Sequence, residues 1–221
     1  MVGYLIYHPK RYKTEIDGKV IYHDSIKGNQ DPYLWNKKFL HTYCHITQMS
    51  PEIGQINFWA SGDTFPNFNS LYCDLVFFVA EKHYWQDVNK INPSDSPVDS
   101  EEAYNDHYTW VNEGQHHYKR RRRFTLKADP QKSFQPQGLK CELFNIVPVL
   151  ESIGLSLLSL REGLCARRGS KPLELKEDQV TTLYQWFLDN APIKLFGKEL
   201  ESIRREHSEL ASQPTKGKLC S

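Results

Sequence analysis

The sequence predicts an α+β fold: a strand-rich front over residues 1–140, forming a mixed or antiparallel sheet, packed by helices from residues 141–221 of the same compact domain. Three observations lead there. Short runs of aromatic and β-branched residues, separated by Gly, Pro and Asn, fill the front. One run, Leu75-Val76-Phe77-Phe78-Val79-Ala80, is apolar without interruption, as a central strand buried on both faces requires. After Cys141 the apolar spacing turns helical.

Taken in order, Tyr4–Tyr7 and Lys19–Tyr22 read as strands around an Asp17-Gly18 hairpin turn. The polar stretch Asp24–Pro32, with Gly28-Asn29, reads as a surface loop. Leu40–Thr47 alternates and stops before Ser50-Pro51, which favours a strand over a helix. Ile53–Ala60 is a strand ended by Ser61-Gly62-Asp63, and a loop with Pro66, Asn67 and Asn69 leads into the central strand Leu71–Ala80. Residues 89–106 read as a long acidic surface loop. Tyr118–Leu126 fits a strand, with Pro130–Pro136 ending it. In the rear, Val149–Arg161 reads as a helix weakened by Gly154, and Gly169–Pro172 as a linker. Glu177–Asn190 carries the stripe Val180, Leu183, Tyr184, Phe187, Leu188, and Lys198–Ala211 is a last helix with His207 on its apolar side.

Composition narrows the functional classes. With 39% hydrophobic and 13% aromatic residues the chain is of the folded kind. Five cysteines, widely spaced and without a CxxC pair, form neither a disulfide scaffold nor a zinc-finger pattern. No run is apolar enough for a signal peptide or a membrane span, so the expectation is an intracellular, non-membrane protein. GxxxxGK[ST], GxGxxG and GxSxG arrangements are absent.

The formal net charge of +1 hides an uneven distribution. Acids dominate Trp85–Glu113; a basic and aromatic block, His116 to Lys127, follows. Its candidate binding residues are His117, Tyr118, Lys119, Arg120, Arg121, Arg122, Arg123, Phe124 and Lys127. Guanidinium groups grip phosphates through paired hydrogen bonds, and rings such as Tyr118 and Phe124 can stack on bases. A strand divides the four arginines between its two sides. Arg121 and Arg123 become the ligand-facing pair when the side bearing Phe124 packs inward. The expected function is binding of nucleic acid or a nucleotide-containing ligand, with the acidic loop available to close over the arginines.

Two alternatives accompany it. A metal-dependent nuclease or phosphodiesterase would use His41, His45, Asp74 and His107 as catalytic groups, with His41, His45 and Asp74 as ligands of a divalent metal. No HExxH or His-x-His supports a particular metal pattern. A protein-interaction module would bind an acidic protein partner through the same basic block.

Overall fold

A computed structural model describes residues 2–8, 10–23, 41–42, 49–84, 86–87, 109–110, 124–165 and 172–206. The architecture is α+β: among the described residues, a nine-stranded mixed sheet with helices of the C-terminal part packed on it. Its main path runs β12 (Leu173–Leu175), β1 (Gly3–Tyr7), β5 (Ile56–Gly62), β6 (Leu71–Tyr84), β10 (Phe134–Gln137) and β13 (Ile193–Phe196). Off that path, β11 (Phe144–Asn145) pairs with the start of β6, and β9 (Phe124–Ala128) pairs with its end and with β4 (His41–Thr42). The strands β7 (Gln86–Asp87) and β8 (Thr109–Trp110) pair in parallel with each other.

β1 and β5 are parallel, from Gly3↔Ile56 to Tyr7↔Ala60. Gly3 lies directly against the Ile56 carbonyl, where a Cβ has no room; the close approach requires glycine. β5 then turns back antiparallel along β6. β6 has two irregularities: Trp59↔Leu75 is followed by Ala60↔Cys73, and Val79↔Ala128 by Glu81↔Lys127, so Asp74 and Ala80 are left out of the ladders.

Strand alternation divides the core in two. On one side Leu5, Phe58, Leu71, Cys73, Val76 and Phe134 meet helices α1 (Val147–Ser152), α2 (Leu157–Leu164) and α3 (Glu177–Asn190) through Leu150, Leu160, Leu183 and Phe187. On the other, Ile6, Trp59, Leu75, Phe77 and Val79 meet Leu126 of β9 and Leu200 and Ile203 of α4 (Gly197–Glu206). The hairpin of β2 (Tyr12–Ile16) and β3 (Lys19–His23) covers this second side with Ile16 and Ile21. Its turn is the expected Asp17-Gly18, with φ of 51° and 72°.

The central strand lies inside the sheet as read, with Leu75, Val76, Phe77 and Val79 buried, but Phe78 and Ala80 of the same run are only half-buried. Helix α3 spans Glu177–Asn190 as read, with Glu177 and Asp178 at its positive end. Two readings are corrected, and two strands are new. Val149–Arg161 is two helices, because Gly154 takes a left-handed φ of 88° and Ser156 caps a new start by accepting from the Ser159 N–H. Pro130–Pro136 does not simply end a strand, since Phe134–Gln137 form β10. Pro136 is tolerated there because the β10–β6 register covers only Phe134↔Val76. The short strands β12 and β13 were not anticipated, being three and four residues long.

Most of the Leu40–Thr47 strand, the 89–106 acidic loop, Gly169, Ser170 and Lys171 of the linker and His207 lie outside the described residues. Among the described residues no helix is long and apolar enough to cross a membrane, which says nothing about β-barrels.

Candidate functional site

The basic block runs into β9, and only its end is described. In β9, Leu126 and Ala128 are buried against Phe77 and Val79. Lys127 points the other way, as period-two alternation demands. The ladders place Lys127 opposite Glu81 on one flank and His41 on the other. Its Nζ donates to Glu81 Oε1 at 2.7 Å, with side chains 25% and 44% exposed. Beside this pair a cleft of about 340 Å³ opens at the Ala80 irregularity, with Glu81, Lys127, Asp129, Gln131 and Glu201 in its walls. Asp129 is committed to its own turn: Oδ1 accepts from the Gln131 and Lys132 N–H groups. The Lys132 ammonium lies 4.4 Å from the centre of the Phe78 ring.

A second polar constellation lies near the other end of β6, on the hairpin side of the sheet. Asp74 is nearly sealed from solvent, and its Oδ2 is 2.8 Å from His8 Nε2 and 3.5 Å from Arg11 Nε. The His8 contact is a close polar approach without good hydrogen-bond alignment. The Arg11 guanidinium carbon is 5.8 Å from the Trp59 ring centre, and the His8 and Trp59 rings are 6.0 Å apart. Tyr22 of β3 belongs to the same surroundings. Burial first, then the neighbouring Cys141, Glu142 and Asp74, push its phenol above the ordinary range. Cys73 follows the same physics: complete burial, then the adjacent Asp74 carboxylate, hold its thiol well above the ordinary value. Exposed Asp63 goes the opposite way, its carboxyl lowered chiefly by the Ser70 N–H; its Oδ1 also accepts from Asn69.

Of the residues read as catalytic or metal-binding, Asp74 is described fully and His41 through its backbone; His45 and His107 lie outside the described residues. The ladders do not bring His41 and Asp74 together. His41 is in line with Glu81, and Asp74 to Glu81 along β6 is about 23 Å at roughly 3.3 Å per residue. Among the described residues no group of three or more His, Cys, Asp or Glu side chains is arranged to hold a metal ion. Of the binding block, His117, Tyr118, Lys119, Arg120, Arg121, Arg122 and Arg123 lie outside the described residues, while Phe124 and Lys127 are in β9.

His8, Arg11 and Trp59 escaped the sequence reading. One signal was present: Tyr4, Ile6 and His8 share a strand face by period two, so a histidine ending a buried strand invites a buried partner. Nothing local pointed to Asp74 as that partner. No protein-family model, curated protein or solved structure matches this chain.

Proposed function

We propose that this protein binds nucleic acid or a nucleotide-containing ligand through the arginine-rich run that enters β9. The observation that carries the reading is the two-sidedness of β9: Leu126 and Ala128 are buried, while Lys127, the last cation of the block, reaches solvent. Counting back in twos from Lys127 arrives at Arg123 and Arg121, the pair assigned here to phosphate contacts. Arg120 and Arg122 share the parity of Leu126 and are assigned to steadying the block. The mechanism is phosphate neutralisation with ring stacking and no covalent step.

The test is fluorescence anisotropy with a labelled single-stranded oligonucleotide across a salt series. Binding weakens as salt rises, and Arg121→Ala with Arg123→Ala lowers affinity roughly tenfold or more. The same double variant reduces the log–log salt slope by about 1.4, since each lost single-strand phosphate contact removes about 0.7. Arg120→Ala with Arg122→Ala changes the slope less. No oligonucleotide binding at low salt, or equal slopes for the two double variants, refutes the proposal.

A further inference from the structure

The β2–β3 hairpin is hydrogen-bonded to the sheet through side chains rather than through a strand ladder. Gln135 of β10 holds the outer edge of β3 with one amide: its Oε1 accepts from Tyr22 N at 3.0 Å, and its Nε2 donates to Tyr22 O at 2.5 Å. Two residues on, Gln137 Nε2 donates to Val20 O at 2.8 Å. The glutamine amides stand where a neighbouring strand's peptide groups would. The Tyr22 hydroxyl donates to the Cys141 carbonyl at 2.8 Å, and Lys19 reaches Glu199 of α4 at 3.2 Å.

The hairpin is also the thinly buried part of this face. Of its ten strand residues only Ile16, Ile21 and His23 are buried, against all five of β1. Segments with few buried apolar groups open at lower free energy than the core they rest on. The core that Ile16 and Ile21 pack on includes Trp59, and beside Trp59, close to Tyr22 of the hairpin, Asp74 meets His8 and Arg11. Buried charges regain hydration when uncovered, which offsets part of the apolar area lost on opening.

We infer that the β2–β3 hairpin is a strap, latched by the Gln135 and Gln137 amides, that lifts as a unit and uncovers the His8–Asp74–Arg11 cluster while the sheet stays folded. This does not depend on the arginine run. It rests on the coincidence of a side-chain latch, thin burial and a charge cluster close by.

Amide hydrogen exchange followed by mass spectrometry on the full-length protein tests it, comparing peptides over 12–23 with peptides over 56–79. In the unaltered protein the hairpin exchanges roughly tenfold or more faster than β5 and β6. Gln135→Leu with Gln137→Leu accelerates the hairpin by about a further tenfold and leaves the central strands unchanged, because each orphaned peptide group then favours the hydrated open state. Tyr22→Phe removes only the bond to Cys141 and gives a smaller acceleration confined to the same peptides; it preserves the test should the glutamine variant fail to fold. Exchange of the hairpin in step with β5 and β6, or equal acceleration of both by Tyr22→Phe, overturns the inference.

Discussion

Two charged pairs on one strand have different consequences because of where the sheet puts them. Near one end of β6, Asp74 meets His8 and Arg11 with side chains almost wholly removed from water. Toward the other end, Glu81 meets Lys127 where both retain access to solvent. Both sites adjoin a break in the β6 ladder. In the buried case the desolvation of each ion has already been incurred, so removing Asp74 takes a compensating charge from a site that water does not reach. At the exposed pair, water replaces whatever is lost. Chemically similar contacts are therefore an anchor in one place and a replaceable surface link in the other.

The sharpest way to break this comparison is Asp74→Ala. It leaves Arg11 buried beside Trp59 without its carboxylate, and the expected cost is about 3–5 kcal/mol, read as a lower denaturant midpoint at pH 7. A cost below about 1 kcal/mol would mean that Asp74 does not anchor the end of β1. An intermediate effect follows from alkali. Burial, the leading cause in each case, raises the Cys73 and Cys165 thiols and the Tyr7, Tyr22 and Tyr184 phenols above their ordinary values. Each group is neutral in both states below its unfolded pKa. Above that value the unfolded chain loses its proton first, so stability is present at neutral pH and falls as pH rises from about 8.5 for the thiols and about 10 for the phenols toward the folded values. For the fully buried Cys73 thiol the slope approaches about 1.4 kcal/mol per pH unit, and for the partly exposed Cys165, Tyr7, Tyr22 and Tyr184 it is shallower. Denaturant midpoints from pH 7 to 10.5 check the sign, and Cys73→Ala should flatten the first part of the decline. Smallest is the exposed pair: a Glu81→Gln and Lys127→Gln double-mutant cycle should give a coupling of about 1 kcal/mol or less, shrinking further in high salt. A coupling as large as the Asp74→Ala effect would erase the contrast between the two ends.

The same contrast explains why one candidate site was easier to read than the other. The arginine run is contiguous, and the two-sidedness of β9 follows from the alternation of Leu126, Lys127 and Ala128 alone. The Asp74 cluster joins residues far apart in the chain. Asp74 stood out as a polar residue before an apolar run, but its partners depended on a parallel β1–β5 ladder and an irregular β5–β6 register.

Local chemistry alone was enough for the α+β class, the Asp17-Gly18 turn, the central strand and the Glu177–Asn190 helix, because each is set by conformational preference and apolar spacing over a few residues. It could not supply β12 and β13, whose three and four residues carry too little pattern and become strands by completing the edges beside β1 and β10. Nor could it show that Pro136 is compatible with β10, which depends on how far the β6 ladder extends. The fate of the charges was likewise a tertiary matter. Whether a carboxylate anchors the fold or faces water depends on dielectric surroundings and long-range register, and for Asp74 and Glu81 along one strand the sheet resolved them in opposite ways.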